Sequence, residues 1–329
     1  MSGAAPASTA SGRLVPLESV REAAATIRGV AVRTPLLPAP WLTDAAAAEV
    51  RLKCESFQPI GAFKLRGAYT MIARLPEEER ARGVVTYSSG NHAQAVAYAA
   101  REFGVRAVIV MPVNAPRIKV EGTHRLGAEV IERGTTSEER RTGAEEVVAE
   151  RGMTMVPPFD HPDIIAGQGT VGLEIVEDWP DVETIVVPIG GGGLVSGIAA
   201  AVKRLRPDVR IVGVEPVGSA AMYRSLEAGE PVTLERTESI ADGLLPVRVG
   251  ALTFEHARQL VDDVVLVDDD AIRTAAAHLL VRGKLLVEYS GAATVAAVRA
   301  GAGRGTRTAA VVSGGNIDPS RVPELLAAL

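Results

Sequence analysis

Short runs of apolar residues alternate along the chain with longer, alanine-rich stretches. Several of the apolar runs lack period-two alternation, as is typical of strands that are buried on both faces. We predict strands at 51–55, 84–88, 107–111, 129–131, 185–188, 211–215, 264–267 and 309–313. We predict helices at 93–103, 137–151, 194–205 and 268–282. This alternation predicts an α/β protein with parallel-rich sheets flanked by helices.

The composition is that of a globular protein from a reducing compartment. Of the 329 residues, 47% are hydrophobic and 23% are charged, which suffices for a sizeable core. A chain of this length suggests about two domains. The net charge of −5 argues against a nucleic-acid coat or a polybasic membrane anchor. The single cysteine, Cys54, excludes an intramolecular disulfide and a cysteine-rich zinc site, so we expect a cytoplasmic protein.

Two segments bear on targeting and on membranes. Residues 1–13 lack the charged start and the apolar core of a secretory signal, and we predict that they form a disordered tail. The uncharged run 185–202 approaches membrane-spanning length, but Pro188 and four glycines interrupt it. We interpret that run as a strand, a glycine loop and a helix, and we expect no membrane partner.

The turns that follow strands are the informative segments, because ligands in such folds bind at the carboxyl ends of strands. Three stand out, at 88–92, 190–193 and 313–316. Four glycines at 190–193 let backbone N–H groups converge on an anion, and the helix that follows adds partial positive charge. The loop is neither a Walker A loop nor a dinucleotide fingerprint. We predict a phosphate site; the alternative is a tight turn whose glycines serve packing.

A search for a Schiff-base lysine has five candidates, Lys53, Lys64, Lys119, Lys203 and Lys284. A loop rich in proline and glycine delivers Lys64 to the first turn of a predicted helix, among apolar neighbours. Burial and the positive end of a helix both lower the pKa of a lysine, which favours the neutral amine. The alternative is an ordinary surface lysine. Lys53 alternates within a predicted strand, and we expect it to face solvent.

Six motifs, in order along the chain, carry a resemblance to a known family. They are Gly-Ala-Phe-Lys-Leu-Arg-Gly at 61–67, Ser-Ser-Gly-Asn-His-Ala-Gln at 88–94, Ala-Gly-Gln-Gly-Thr at 166–170, Gly-Gly-Gly-Gly-Leu at 190–194, Ala-Asp-Gly at 241–243 and Ser-Gly-Gly-Asn at 313–316. From about Leu17 onward the chain resembles the fold-type II pyridoxal-phosphate enzymes, and among them the threonine/serine dehydratases and serine racemases.

The resemblance implies a two-domain α/β fold of the tryptophan synthase β type, with parallel-rich twisted sheets flanked by helices. It implies a large cofactor-binding domain formed by 14–74 and 156–329, and a small mobile domain formed by 75–155. It also implies a homodimer. Because no regulatory domain fits after the last predicted β–α unit, we expect no feedback by isoleucine.

The resemblance further implies pyridoxal 5'-phosphate as cofactor and a role for each matched residue. The catalytic residues are Lys64, which forms the Schiff base, and Ser89. The cofactor-binding residues are Phe63, Lys64, Asn91, Gly190, Gly191, Gly192, Gly193, Leu194, Gly243, Glu288 and Ser313. In this set the glycines and Leu194 hold the phosphate, Asn91 contacts the phenolic oxygen and Ser313 faces the pyridine nitrogen. The residues around the substrate carboxylate are Ser88, Ser89, Asn91 and His92.

Other polar residues have interpretations without catalysis. Asn91 and His92 have the alternative of capping the helix that follows them, which is compatible with binding an anion there. We interpret the remaining histidines as structural. We interpret the acidic run 268–270 as a helix cap, and the charged cluster 138–141 as a solvated helix face.

The activity that the resemblance implies is an ammonia-lyase reaction, in which L-threonine or L-serine yields 2-oxobutyrate or pyruvate plus ammonia. The alternatives are a serine racemase or a threo-3-hydroxyaspartate dehydratase of the same family; a cofactor-binding protein without turnover is disfavoured by Lys64 and Ser89. Ala62 stands where many members have serine, so substrate preference stays open. Glu215 matches one ligand of the racemases' cation site, but Ala221 replaces the second carboxylate. We therefore expect no metal there and favour the dehydratase.

Overall fold

The computed structural model of the chain describes residues 14–46, 49–88, 90–115 and 117–327. The strands are β1 (Leu36–Pro38), β2 (Val50–Cys54), β3 (Val84–Tyr87), β4 (Ala107–Met111), β5 (Glu129–Glu132), β6 (Thr154–Met155), β7 (Thr184–Pro188), β8 (Arg210–Pro216), β9 (Asp263–Val267) and β10 (Thr308–Val312). The helices are α1 (Leu17–Thr26), α2 (Pro40–Ala46), α3 (Lys64–Arg74), α4 (Glu77–Arg82), α5 (Asn91–Glu102), α6 (Arg117–Arg125), α7 (Ser137–Arg151), α8 (Pro162–Asp178), α9 (Gly193–Leu205), α10 (Ala221–Ala228), α11 (Ala251–Leu260), α12 (Asp269–Val281), α13 (Tyr289–Arg299) and α14 (Val322–Ala327).

The strands form two separate sheets. The six-stranded sheet has the order β1-β2-β10-β7-β8-β9, and the four-stranded sheet has the order β5-β4-β3-β6. Neighbouring strands are parallel except for β1, which pairs antiparallel with β2 at the sheet edge. The predicted α/β class is confirmed, and each predicted strand is found within a residue or so of its expected bounds. The division into a large and a small domain at residues 75 and 155 stays a prediction.

Both faces of the six-stranded sheet are covered, which explains its unbroken apolar strands. Every residue of the central strands β7 and β10 is buried. Because side chains alternate along a strand, Ile185 and Val187 pack in one hydrophobic cluster, and Val186 packs in the cluster on the opposite face. The pattern of continuous burial is the one expected for parallel strands between two layers of helices.

Close packing of α8 against α3 and α9 brings two predicted functional segments together. A Cβ atom at Gly167 would lie 2.5 Å from the carbonyl oxygen of Arg66 in α3. On the other side of α8, a Cβ atom at Gly169 would lie 2.8 Å from the carbonyl oxygen of Gly197 in α9. Since α3 begins with Lys64 and α9 follows the glycine loop, these contacts hold both segments against the same helix.

A buried ion network corrects our expectation for Lys53. This side chain is fully buried, and its Nζ donates to Glu174 (2.6 Å) and to the carbonyl oxygen of Thr34 (2.7 Å). Arg66, also fully buried, donates to Glu55 (2.7 Å) and Glu174 (2.7 Å). The expectation that Lys53 faces solvent is wrong because Glu174 of α8 reaches over that face of β2. Alternation within a strand does not reveal whether a helix covers its polar face.

The uncharged run 185–202 forms most of β7, a glycine loop and most of α9, as predicted. Among the described residues, no helix is both long enough and apolar enough to span a bilayer. The predicted disordered tail at 1–13 lies outside the described residues.

Candidate active site

Lys64 is the first residue of α3, at the end of a loop whose turn requires a glycine. Gly61 has a φ of +72°, a conformation that residues with a side chain rarely adopt. The N–H of Gly315 donates to the Gly61 carbonyl (2.8 Å), and the N–H of Phe63 donates to the Ser313 carbonyl (3.1 Å). The loop is thereby joined to the turn that follows β10, and Lys64 enters its helix beside Ser313.

The amine of Lys64 is largely enclosed by protein and has one hydrogen-bond partner among the described residues. Its Nζ donates to the carbonyl oxygen of Pro158 (2.7 Å) and lies 5.2 Å from the centre of the half-buried Phe63 ring. Burial lowers the pKa of Lys64 to about 8, since the protein interior disfavours the charged form. About one tenth of the amine is therefore neutral at pH 7, far more than for an ordinary lysine. This agrees with what the loop-to-helix position predicts.

The glycine loop has backbone N–H groups that are available to bind an anion. Gly192 has a φ of +95° and immediately precedes α9, which has no side-chain cap. Among the described residues, we find no acceptor for the N–H groups of Gly190, Gly191 and Gly192. The first N–H groups of α9, from Gly193 and the buried Leu194, also lack acceptors within the helix. These N–H groups together form an anion site at a helix N-terminus.

The outer side of the glycine loop is packed, so side chains are excluded there. A Cβ atom at Gly190 would lie 2.9 Å from the Gly243 carbonyl oxygen, and one at Gly192 would lie 2.8 Å from Thr253. A Cβ atom at Gly191 would overlap the ring of Phe159. The four glycines thus serve packing as well as N–H presentation, and the two interpretations of the sequence are compatible.

Residues 158–160 connect Lys64 to the glycine loop. Pro158 accepts the hydrogen bond from Lys64, and the next residue, Phe159, lies against Gly191. Asp160 then accepts from three backbone N–H groups at the start of α11, at 3.0 to 3.1 Å. Since the helix N-terminus favours a carboxylate, Asp160 anchors this segment.

A second wall of the site joins Gly243 to Ser313. The N–H of Gly243 donates to the hydroxyl of Ser290 (2.9 Å), and the hydroxyl of the buried Ser313 lies 3.5 Å from the Ser290 carbonyl oxygen. Ser313 therefore has a long, weak hydrogen bond and keeps capacity for another partner.

Asn91 and Glu288 meet between the two sheets. Asn91 begins α5, which follows β3 of the four-stranded sheet, whereas Glu288 lies in the segment before α13. The Asn91 Nδ2 donates to Glu288 Oε1 (2.7 Å), and the Asn91 Oδ1 accepts from Asn316 Nδ2 (2.8 Å). The N-cap of α5 is Gly90, and no side chain caps the helix. The capping alternative for Asn91 and His92 is therefore wrong, because the Asn91 amide is engaged elsewhere.

The imidazole of His92 is buried and neutral. Its Nε2 lies 3.0 Å from the Val156 carbonyl oxygen, and its Nδ1 has no partner among the described residues. Burial, followed by the nearby charge of Lys64, lowers the pKa of His92 to about 3. Since a carbonyl oxygen only accepts, Nε2 carries the hydrogen and Nδ1 is an acceptor.

Ser88 is half-buried, and its hydroxyl accepts from the Gly90 N–H (3.3 Å). Ser89 lies outside the described residues.

The arrangement fits pyridoxal phosphate. A buried amine of lowered pKa lies beside an anion cup lined with glycine N–H groups, as a cofactor with an aldehyde and a phosphate requires. An uncharged hydroxyl, Ser313, and an amide, Asn91, are held in the turns next to that amine.

Comparison with known proteins agrees with this assignment. A family model described as pyridoxal-phosphate dependent enzyme matches residues 27–314. The chain belongs to this family. The resemblance that the six motifs carry is confirmed, and pyridoxal phosphate is the cofactor.

Similar members of the pyridoxal-phosphate dependent family include enzymes with named activities. The L-threonine ammonia-lyase of Thermotoga maritima is 44% identical over 314 residues, which cover 95% of this chain and 78% of the relative. The catabolic L-threonine dehydratase TdcB of Escherichia coli is 39% identical over 315 residues, covering 94% of this chain and 96% of the relative. The structure of maize serine racemase has a TM-score of 0.91 at 40% identity, covering 96% of this chain and 98% of that one.

Several residues of the site were not singled out from the sequence. Pro158, Phe159 and Asp160 link the lysine to the glycine loop, and Ser290 and Asn316 hold the walls. Asn316 ends one of the six motifs, which was a usable signal. For the others, only the three-dimensional contacts reveal the connection.

Glu215, the residue matched to a cation ligand in racemases, has other partners here. Its two carboxylate oxygens accept from the N–H groups of Met222 and Tyr223, at 2.8 Å each, in the first turn of α10. Burial raises the pKa of Glu215 to about 7, despite these hydrogen bonds. Our expectation that no metal binds at this place stays a prediction.

The remaining histidines all contact protein groups. His256 accepts from the Val15 N–H (2.8 Å), His161 caps α8, and the ring of His278 stacks on Trp41. His124 Nδ1 lies 3.2 Å from the Ala128 carbonyl oxygen. These contacts agree with a structural role.

The two charged clusters set aside in the sequence also lie at helix starts. Asp268 caps α12 by accepting from the Ala271 N–H, as predicted. In the cluster 138–141, Glu139 forms a reciprocal capping box with Thr136, so this cluster is a helix start as well as an exposed face.

Proposed function

We propose that this enzyme is an ammonia-lyase that converts L-threonine to 2-oxobutyrate and L-serine to pyruvate, with release of ammonia. The observation that carries the proposal is the buried amine of Lys64, held 2.7 Å from the Pro158 carbonyl beside the glycine cup. The named activities of the T. maritima and E. coli relatives support the choice of reaction.

Pyridoxal phosphate, when bound, supplies an aldehyde that condenses with amines and a ring that withdraws electrons from the substrate Cα. The N–H groups of Gly190 to Gly193 and of Leu194 would bind its phosphate. Ser313 would face the pyridine nitrogen, Asn91 the phenolic oxygen, and Phe63, Gly243 and Glu288 the ring. A serine hydroxyl is uncharged, so it does not hold the nitrogen protonated as a carboxylate would. Ser313 would therefore leave the electron withdrawal by the ring weaker than a carboxylate partner would, which suits loss of a β-hydroxyl from the substrate.

Lys64 has two tasks in this proposal: it binds the cofactor through Nζ, and after substrate replaces it, the same Nζ takes the proton from the substrate Cα. A base acts best when its pKa lies near the working pH. The pKa of about 8, caused by burial, meets that condition. The Pro158 carbonyl gives the released amine a hydrogen-bond acceptor within the site.

The substrate carboxylate would bind at the start of α5. The first N–H groups of a helix lack internal acceptors and attract anions, so the backbone of Asn91 and His92 suits this task. The imidazole of His92 does not suit it, because the unprotonated Nδ1 repels a carboxylate oxygen. We assign Ser88 and Ser89 to the same pocket, with Ser89 as the acid that completes protonation of the product.

The test is proton NMR of the purified holoenzyme with L-threonine and L-serine in D₂O. We expect signals of 2-oxobutyrate and pyruvate, and their relative rates rank the two substrates. Replacing Lys64 with Ala should lower kcat by at least about 10²–10⁴-fold, the usual contribution of a positioned base. The matched control is Lys284→Ala, which removes an exposed lysine and should keep activity. Full turnover by the Lys64→Ala variant, or no consumption of either amino acid, contradicts the proposal.

A racemase activity is the second candidate, and the 40% identity to maize serine racemase favours it. In that case Ser89 would return the proton on the face opposite Lys64. The same NMR experiment separates the reactions: loss of the Cα proton signal without an oxo acid indicates exchange alone, and chiral analysis of the recovered serine then measures racemisation.

We also propose that the enzyme acts in the cytoplasm as a homodimer. Its one cysteine, Cys54, is a buried free thiol, which suits a reducing compartment. Apolar side chains of Val32, Phe57 and Leu286 are exposed. The Val32 N–H donates to Gln58, next to Phe57, and both Leu286 and Ser56 lie near Gly315. Light scattering on the eluting peak of a size-exclusion column should give twice the mass of the 34.4 kDa chain; a monomer mass would refute the dimer.

A further inference from the structure

Asn316 ends the turn after β10, and the mechanism proposed above makes no use of it. Its Nδ2 donates to the Ile60 carbonyl oxygen (2.8 Å) and to Asn91 Oδ1 (2.8 Å). An amide nitrogen carries two hydrogens, so both are used. If the amide were flipped, its oxygen would face two other acceptors. The orientation of the Asn316 side chain is therefore determined by its surroundings.

The same reasoning determines the orientation of the Asn91 amide. Its oxygen accepts from Asn316, and its nitrogen donates to Glu288 Oε1 (2.7 Å). A flipped Asn91 would place its oxygen against a carboxylate oxygen and its nitrogen against the nitrogen of Asn316. Two hydrogen bonds would be lost and two repulsive contacts would form. Counting the described residues, one of the two hydrogens on Asn91 Nδ2 remains for a further acceptor.

We propose that Asn316 is a positioning residue, which holds the Asn91 amide so that its remaining N–H points toward the phenolic oxygen of the cofactor. The inference rests on the proposed function, in which Asn91 contacts that oxygen. A donor that is already oriented binds without reorganisation, which strengthens the interaction. Without Asn316, Glu288 alone would hold the amide, whose terminal torsion is broad.

The position of Asn316 supports this role. It lies in the turn after the six-stranded sheet, whereas Asn91 begins a helix after the four-stranded sheet, so their hydrogen bond joins the two. Through Ile60, Asn316 also contacts the loop that leads to Lys64. Asn316 thus has a second possible route of action, through the lysine loop, which the test must separate from the first.

The test is a double-mutant cycle on the holoenzyme with Asn316→Ala, Asn91→Ala and the double variant. Two quantities are measured: the dissociation constant of pyridoxal phosphate, by equilibrium dialysis, and the pH dependence of its visible absorption, which reports on the phenolic oxygen. Loss of one part-buried hydrogen bond predicts binding about 2- to 12-fold weaker for Asn316→Ala, with a shifted absorption pH profile. In the Asn91→Ala background, the same substitution should change binding by less than about twofold.

Two further variants guard against a merely structural effect. Asn316→Asp keeps the size of the side chain but removes its donors, so it should reproduce the changes even where the alanine variant folds poorly. Ser56→Ala is the matched control, because Ser56 packs beside Gly315, the residue that precedes Asn316. The buried hydroxyl of Ser56 has no partner among the described residues. It should leave both measurements unchanged.

Equal effects of Asn316→Ala in both backgrounds would overturn the inference, because Asn316 would then act through the lysine loop. No effect of Asn316→Ala, where Asn91→Ala weakens binding, would overturn it as well and leave the proposed function intact. If Asn91→Ala itself changed neither measurement, the proposed contact of Asn91 would fail, and this inference with it.

Discussion

Gly191 offers a direct test of how the glycine loop is built. Its φ is not in the left-handed region, so alanine there carries no backbone strain. The added Cβ atom would, however, overlap ring atoms of Phe159. Carbon atoms at contact need about 3.5 Å, so the ring or the loop must move. Movement of Phe159 displaces its neighbours Pro158 and Asp160, which hold Lys64 and α11.

The size of the effect follows from the crowding. Overpacking of this kind costs about 1–3 kcal/mol. If the loop relaxes in the free protein and the bound cofactor restores its original shape, the free energy of that restoration is subtracted from the free energy of cofactor binding. With 1.4 kcal/mol per tenfold, the affinity for pyridoxal phosphate should fall by about 5- to 150-fold.

The assay is equilibrium dialysis of Gly191→Ala, Phe159→Ala and the double variant. Removing the ring removes the clash, so Gly191→Ala should cost less than about twofold in the Phe159→Ala background. The matched control is Gly122→Ala, since Gly122 lies in α6, where a Cβ atom would meet only the end of the Arg125 side chain at 3.8 Å. It should leave affinity unchanged. Equal losses from Gly191→Ala with and without the Phe159 ring would refute the steric reasoning.

Three other predictions concern stability, each measured by urea unfolding. Because the pKa of Glu215 is raised to about 7 in the folded state, its stabilising contribution is present below about pH 4.5 and is lost as pH rises through 7. The free energy of unfolding should fall by up to about 3 kcal/mol over that range, and Glu215→Gln should remove this slope; an unchanged slope contradicts the assignment. Lys284 has a φ of 56°, so Lys284→Gly should raise the free energy of unfolding by about 0.5–1 kcal/mol while Lys284→Ala does not; equal stabilities would contradict strain at this residue. Arg66→Met leaves the fully buried carboxylate of Glu55 and the partly buried one of Glu174 without their main cation and should cost about 3–5 kcal/mol, with partial recovery on adding Glu55→Gln. A loss below about 1 kcal/mol would show that the network is dispensable.

The strands were largely predictable because a strand that is buried on both faces has apolar residues at nearly every position. The strands at 107–111 and 185–188 are apolar throughout, and the structure buries every residue of them. β1 and β6 were missed because they have only three and two residues, too few to show a pattern. The partners of Lys53 were missed because they come from α8, far along the chain.

The candidate site divides in the same way. A glycine loop between an apolar strand and a helix predicts an anion site from local geometry alone, and a short search among five lysines leads to Lys64. The segment 158–160 gives no such signal, since its importance lies in contacts with residues about 90 positions away along the chain in either direction. The orientation of the Asn91 amide likewise depends on Asn316, 225 residues further on.

The sequence by itself determined the α/β class, the order of the longer strands and the candidates for the site residues, because each of these depends on neighbouring residues and on motifs read in order. Only the tertiary structure decided which groups are buried together. Burial is what lowers the pKa of Lys64 and keeps His92 neutral, and hydrogen bonds between distant segments are what orient Asn91. Both effects arise from the low polarity and fixed geometry of the folded interior, which no local stretch of sequence contains.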